Sequence, residues 1–458
     1  MNSPKAESLL AISPLDGRYQ PKTRILQDYF SEFALFKFRF QVEANWLYYL
    51  LNEHEFLGIK PPEPEALKAL KNLSENFSIE DAITIKELEY QYRHDVKAVE
   101  YFLKDSLRKI PDLMEYQEWV HFGCTSEDIN NLAYGLMIKT GLKKIIVPKI
   151  EFILSALKIQ AHQMAHLPML ARTHGQAATP TTLGKEWANF AYRLELQLNQ
   201  LINLPVYGKF NGAVGNYNAF YIAMPQIDWL EFNKNFVLQL GLGWNPYTTQ
   251  IEPHDYVADI LNKLSQINTI LIDLARDCWS YISLGYFSQL IYKNEVGSST
   301  MPHKVNPIDF ENAEGNLSMS QALAQFLANR LPLSRYQRDL VDSTLMRNIG
   351  SVFAYGIIAY ESLLSGFEKI KPNAAVLSAD LEAHTEILSE AIQTVMRAHH
   401  LAIPYEQLKQ LTQGQKVNLA TLHDFINTLD LPDSVKKHLL ELKPEHYLGY
   451  AKQLAEKI

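Results

Sequence analysis

The sequence predicts an all-α protein built around a bundle of long helices, and three observations carry that expectation. In 183–204, "LGKEWANFAYRLELQLNQLINL", apolar residues stand at Leu183, Trp187, Phe190, Leu194, Leu198 and Leu201, in steps of three and four that lay one stripe along a helix. Between Pro253 and Pro302 the chain has no proline, and Val257, Leu261, Leu264, Ile267, Leu271, Leu274, Cys278, Tyr281 and Leu284 step in the same way. That spacing predicts one helix of about thirty residues, far beyond the ~11-residue mean. Short strands do not alternate with helices, which argues against a parallel sheet. Glycine, at 20 of 458 residues, is scarce against the usual ~7% and favours helices over tight turns.

Segments 143–167 and 342–369 read as further long helices. "HFGCTSEDIN" (121–130) follows a first helical domain, 1–115. A central bundle over 116–369 comes next, and "EKIKPNAAV" (368–376), with its proline, opens a C-terminal helical domain, 370–458. A single helix hides only one face, so several should pack as an elongated bundle, and their wide apolar stripes predict burial against other copies of the chain; a bundle satisfied within one chain is the plainer reading.

Composition narrows the function classes. Hydrophobic residues are 47% and charged residues 21%, the balance of a globular protein. A net charge of −8 and the lack of a basic run speak against nucleic acid. No segment reads as a secretory signal, nor as the ~18 apolar residues of a membrane span. Cys124 and Cys278 are too few for a disulfide framework or a zinc site, so a reduced, cytoplasmic setting is expected.

Four polar islands interrupt the helical pattern. "EYQYRHDVKAVEYFL" (89–103) gathers Arg93, His94, Asp95 and Lys97 ahead of an amphipathic run. Asp95 is expected to cap that helix or sit in its first turn, with His94 and Lys97 on one face; a solvated charged face is the plainer reading. In "HFGCTSEDINN" (121–131), Thr125 or Ser126 followed by Glu and Asp is a helix start, whose N–H groups suit an anion or simply cap. Cys124 lacks a cysteine-hydrolase context and reads as a small packing residue. "LARTHGQAATPTTLGKE" (170–186) places His174 among donors, where a proton is exchangeable near neutral pH. The last, "GSSTMPHKVNP" (297–307), is a polar loop between two core helices.

Familiar alternatives are missing. There is no Gly-x-Ser-x-Gly elbow, no Gly-x-x-x-x-Gly-Lys phosphate loop and no His-Glu-x-x-His metal spacing. What remains is a site of Ser, His, Lys, Arg and Asn with neither metal nor cofactor. Cations and amides stabilise developing negative charge, and His moves protons. Such a set fits proton abstraction beside a carboxylate, with Lys304 and Asn306 facing the doubly charged aci-carboxylate, followed by elimination.

"GSSTMPHKVNP" resembles the signature loop Gly-Ser-Ser-x-Met-Pro-x-Lys-x-Asn-Pro of the fumarase/aspartase superfamily, with all eight fixed positions matched. "ARTHGQAATP" is similar to its Thr-His segment. Within the superfamily, Gly175-Gln176, "YRHDVKA" and "TSEDINN" resemble the adenylosuccinate lyase family of the longer bacterial type. The likeness runs from "SPLDGRY" (13–19) through "NPYTTQIEPHDY" (245–256) to "SRYQRDLVDSTLMRN" (334–348). One departure is Ala177, where that family commonly has Pro; Arg93 stands where both Asn and Arg occur.

The resemblance implies three largely helical domains and a homotetramer whose active sites draw segments from several chains. It implies release of fumarate from adenylosuccinate, leaving AMP, and from the succinyl-aminoimidazole-carboxamide ribotide (SAICAR), leaving AICAR. By resemblance, Ser298 is the general base on a mobile lid and His174 the general acid. Lys304 and Asn306 hold the succinyl carboxylates, assisted by Ser299, Thr125 and Ser126. Arg18, Tyr19, His94, Arg338, Ser343 and Arg347 bind the phosphate and nearby groups, with Arg93 and Asp95 beside them; Gln250 and Asn312 complete the site. Rival readings are another lyase of the superfamily, for argininosuccinate, fumarate or aspartate, and a non-catalytic protein on the same bundle.

Overall fold

The structure, a computed structural model, describes residues 6–290, 301, 303–402, 405, 406, 408, 409 and 417–458. It is all-α, with two- and three-residue strand pairs as minor additions. The chain forms two compact units. One comprises residues 1–150, 197–269 and 315–360; the other comprises 151–196, 270–314 and 361–458. The divisions fall inside the helices Val147–Gln163, Leu183–Ile202, Asp255–Ser283, Ile308–Arg330 and Ile349–Lys369.

The long helices form where the spacing predicts them. Leu183, Trp187, Phe190, Leu194, Leu198 and Leu201 are all buried along one helix. Val257 through Cys278 are likewise buried on Asp255–Ser283, which has 29 residues. The stripe stops short of Leu284, which is 44% exposed. The helix has ended there, and Gly285, at φ +76°, turns the chain in the left-handed region. The stretch 143–167 begins with a π turn, Leu142–Ile146, in which the Val147 N–H reaches back to the Leu142 carbonyl. Pro148 follows; it has no N–H and its ring needs room, and a widened turn supplies that room. The segment Val341–Lys369 is apolar and long enough to pass for a membrane span, which the sequence reading overlooked; 67% of its apolar 18-residue window is buried within the protein, as in a core helix.

In the first unit the helix Glu32–Asn52 is the hub. Ser31 caps it by accepting the Ala34 N–H at 3.1 Å. Trp46 is fully buried, with its ring 4.5 Å from Phe210 and 4.9 Å from Phe236, and its indole N–H donates to the Phe122 carbonyl at 3.1 Å. Removing such a ring costs about 3–5 kcal/mol. Against this hub packs Ser126–Gly141, whose Asp128 is fully buried. Asp128 accepts the N–H groups of Thr125 (2.8 Å), Asn211 (2.9 Å) and Gly212 (3.0 Å), and pairs with buried Lys209 at 2.8 Å. Asn131 clamps Lys209 further, accepting its N–H at 2.8 Å and donating to its carbonyl at 3.0 Å.

In the second unit Trp187, Phe287 and Phe367 pack together, with Phe310 beside Phe367 at 6.1 Å. A Cβ on Gly366 would meet the Phe310 ring at 2.8 Å, so only glycine allows this approach. The strand Phe287–Gln289 pairs antiparallel with Ile370–Pro372. A separate apolar cluster joins Leu381, Ile387, Ile392, Met396, Leu422 and Ile426 to Leu170.

The Asp128–Lys209 pair yields a stability prediction. Breaking a buried ion pair from one side strands the other charge. Asp128→Asn and Lys209→Met should each lower unfolding free energy by about 3–5 kcal/mol, and the double variant by clearly less than the sum. Urea unfolding of the three variants measures this; additive losses would show that the pair is not coupled.

Candidate active site

In the first unit, a single guanidinium gathers three of the expected residues. Arg338 donates to Gln250 Oε1 at 3.1 Å and to Ser343 Oγ at 3.1 Å, and pairs with Glu127 at 2.8 Å. Gln250 in turn donates to the Ala213 carbonyl at 3.1 Å. Arg338, Gln250 and Ala213 border an open cavity of about 370 Å³ lined also by Val214, Tyr336 and Gln337. Glu127 lies two residues beyond Thr125, so the helix start carrying Thr125 and Ser126 is fixed to Arg338. That start is a capping box, as its sequence predicts, and the Thr125 N–H is engaged by Asp128 and not offered to a ligand.

Asp95 and Arg347 are joined at 3.0 Å. Asp95 sits in the first turn of Asp95–Arg108, as expected, and also holds buried Arg39 at 2.8 Å. Arg39 donates to Asn130 at 2.7 Å, and Asn130 to Glu127 at 2.6 Å. An unbroken polar chain thus runs Arg347, Asp95, Arg39, Asn130, Glu127, Arg338. Burial acts to raise the Asp95 pKa, but Arg39, the Val96 N–H and Arg347 outweigh it and hold the carboxyl below its usual value. At Glu127 burial prevails over Arg338 and pushes the carboxyl up.

His94 caps the same helix, its Nδ1 accepting the Lys97 N–H at 3.2 Å, so a neutral ring carries its proton on Nε2. The Lys97 ammonium lies 2.7 Å from Glu100. Arg93 is exposed at φ +55°, closing the preceding helix in the left-handed region. Arg18 and Tyr19 lie in a turn closed by Tyr19 N–H to Pro14 at 2.8 Å, with the guanidinium 5.9 Å from the Tyr19 ring centre. Burial pushes the Cys124 thiol up to about 12, which agrees with an inert packing residue.

In the second unit, His174 occupies the tip of a two-residue hairpin. Arg172 pairs with Ala177 and Thr173 with Gln176. His174 and Gly175 both have positive φ, +54° and +75°, as a type I′ turn requires. Asn or Gly normally fills such a position; here it is held by an exposed His. Ala178 N–H bonds to the Ala171 carbonyl at 2.8 Å, so the intervening Arg172–Ala177 pair is the non-hydrogen-bonded one. The Ala177 N–H therefore takes no part in the ladder, which accounts for proline being acceptable at this place.

Lys304 is exposed, its N–H bonded to the Met301 carbonyl at 3.0 Å, and Gln289 holds the adjacent Val305 carbonyl at 2.8 Å. The Asn306 carbonyl accepts the Ile308 N–H at 2.9 Å as the helix Ile308–Arg330 begins, and Asn312 accepts from Ser362 at 2.8 Å. Ser298 and Ser299, and with them part of the expected lid, residues 297–300 and 302, lie outside the described residues.

Arg39, Glu127 and Asn130 escaped the sequence reading as members of this polar chain. Only Arg39 left a signal: a charged residue inside the apolar run "FALFKFRFQV" (33–42). His254 and Asp342 were missed likewise. They lie 3.7 Å apart, both buried, with Asp342 also 3.7 Å from the Arg338 Nε. Burial would raise the Asp342 pKa, but His254 and Arg338 hold it below its usual value.

A lyase family model matches residues 17–322, and an adenylosuccinate lyase C-terminal model matches 334–448. Solved structures of similar fold include a 3-carboxy-cis,cis-muconate lactonizing enzyme from Pseudomonas putida, with TM-score 0.69, 22% identity and 95% and 96% of the two chains covered. A fumarate lyase from Mesorhizobium sp. BNC1 gives TM-score 0.71 at 20% identity, covering 95% and 97%. The class is therefore a lyase of the fumarase/aspartase superfamily. Adenylosuccinate lyases from Buchnera aphidicola and Escherichia coli are each 49% identical over 451 residues, covering 98% of this chain and 99% of theirs. That of Legionella pneumophila is 51% identical over 449 residues, covering 98% of each. The chain belongs to the adenylosuccinate lyase family.

Two substitutions test the hairpin. Ala177→Pro should keep kcat within about twofold and leave Tm unchanged or higher, because no ladder bond is lost. Gly175→Ala, at φ +75°, should cost about 1 kcal/mol in unfolding free energy. A Tm loss with Ala177→Pro would contradict the assigned ladder.

Proposed function

We propose that this protein releases fumarate by β-elimination from adenylosuccinate, leaving AMP, and from SAICAR, leaving AICAR, as a cytoplasmic enzyme of purine nucleotide synthesis. The observation that carries the reading is full-length similarity to relatives named adenylosuccinate lyase, joined to a His held at a strained turn. The placing of Gln250 and Arg338 on one cavity, with Ser343 bonded to Arg338, supports it.

In this reading Ser298 removes the β-proton of the succinyl group. Lys304 and Asn306 face the aci-carboxylate that forms, with Ser299, Thr125 and Ser126 beside them. His174 donates a proton to the leaving nitrogen. Arg18, Tyr19, Arg93, His94, Asp95, Arg338, Ser343 and Arg347 take the nucleotide phosphate and its surroundings, and Gln250 and Asn312 complete the pocket. Arg338 is already balanced by Glu127, and Arg347 by Asp95, so an incoming phosphate shares cations that carboxylates have placed.

The same reading includes a homotetramer with shared sites and a division into domains near residues 115 and 369. Large apolar side chains stand exposed on the long helices: Phe152 at 64%, Tyr192 at 56% and Phe326 at 55%. In a single chain they waste burial; against other copies they are covered.

Following fumarate release from adenylosuccinate is the direct test, and no release under any assembly state would defeat the proposal. Ser298→Ala should cut turnover by about 10²–10⁴-fold while substrate binding changes little, whereas Lys304→Ala should weaken both. His174→Ala and Ser298→Ala proteins, dissociated and reassembled together, should regain part of the activity; verified mixed tetramers without activity would place both residues in one chain's site. Turnover should follow a bell-shaped pH profile that belongs to the coupled pair.

A further inference from the structure

We propose that Asp380 is a positioning residue for this reaction, pinning the hairpin that carries His174 to the strand that precedes the signature loop. The proposal rests on His174 being the proton donor of the function proposed above.

Asp380 stands outside every residue assigned so far, yet two donors from separate segments meet on one of its oxygens. The Arg172 guanidinium reaches Oδ2 at 2.6 Å, and Arg172 lies two residues before His174. The Tyr286 hydroxyl donates to the same Oδ2. Tyr286 is 2% exposed and directly precedes the strand Phe287–Gln289, after which the chain enters the loop. The carboxylate itself has little freedom. It sits on the helix Ala374–Glu382, whose Leu377 and Leu381 are buried on either side of it in sequence. His384 Nδ1 lies 2.8 Å from the Asp380 carbonyl and 3.5 Å from Oδ1.

The hairpin needs such a support. Its strands have two residues each, far below what a hairpin requires to hold its shape alone. Its tip has two consecutive positive φ angles, one at a non-glycine residue, and strain of that kind persists only where the surroundings over-determine it. On the C-terminal side, Leu170 and Ala177 are packed into the apolar cluster around Leu381 and Ile392, which fixes the base of the hairpin. Arg172 extends the fixation toward the tip, and Asp380 directs Arg172: a guanidinium donating to a carboxylate oxygen is oriented as well as neutralised. Because Tyr286 shares that oxygen, displacement of either segment loosens the other.

The test uses the full-length enzyme with Tyr286→Phe, Asp380→Asn, Arg172→Met and the Arg172→Met/Asp380→Asn double variant, assayed by fumarate release from adenylosuccinate well below their unfolding temperatures. Tyr286→Phe is the mild probe, removing one hydroxyl, and keeps the test alive should Asp380→Asn not fold. We expect kcat to fall about tenfold for Tyr286→Phe and about 100-fold for Asp380→Asn, since an ångström of misplacement costs about that much, with KM within about threefold. The double variant should be no slower than Asp380→Asn, because the two side chains act as one unit. A folded, assembled Asp380→Asn enzyme with wild-type kcat overturns the proposal, as does a rise in KM with kcat unchanged; both would leave Asp380 a stabilising contact only. Failure of the wild-type protein to release fumarate would instead sink the functional reading, and this proposal with it.

Discussion

The buried carboxylate of Asp128 is the constraint on which the first unit depends. An ionised side chain without solvent must be fully satisfied, and here three backbone N–H groups and the Lys209 ammonium satisfy it. Those partners come from two places far apart in sequence, the start of Ser126–Gly141 and the loop at 209–212. Gly212 contributes its N–H from φ +83°, a conformation that costs glycine little. The consequence is positional. Thr125 and Ser126 at the helix start, and Ala213 next to the loop, are held in one frame, and Ala213 is the group that receives Gln250.

From that frame the polar chain Arg347–Asp95–Arg39–Asn130–Glu127–Arg338 distributes charge. Each cation faces a carboxylate, so an acidic protein can maintain arginines at a cavity without leaving isolated buried charges. The carboxylates respond in opposite senses. Asp95, between two arginines, is held below its ordinary pKa, while burial dominates at Glu127 and raises it. The guanidinium groups of Arg338 and Arg347 are thereby oriented by the carboxylates they face.

The second unit solves a different problem. His174 stands exposed at the tip of a two-residue turn and not on a helix or a long strand. A two-residue turn with left-handed backbone gives one direction, at a conformational cost that Leu170, Ala177 and Arg172 offset from outside the turn. The strain persists there for a physical reason: the chain tolerates an unfavourable φ at a histidine only where its neighbours fix it.

The sequence by itself determined the helices, because apolar spacing at three and four residues reports the period of the backbone directly; the stripe from Leu183 to Leu201 is buried at every position. It determined the helix start at Thr125 and the first-turn place of Asp95, since capping is local chemistry between residues three apart. It singled out His174 and Lys304 as candidates through polar groups crowding a short loop, and Gln250, Arg338 and Ser343 only through resemblance to a family. The end of the long helix before Leu284, the π turn ahead of Pro148 and the diversion of Lys97 to Glu100 were not legible, because each depends on which neighbour wins a contest. Only tertiary structure decided the partnerships: Asp128 with Lys209, Arg39 with Asp95, Asp380 with Arg172 and Tyr286. These join residues separated by dozens to hundreds of positions, and a buried charge chooses its counter-charge by proximity in space, which no local pattern encodes.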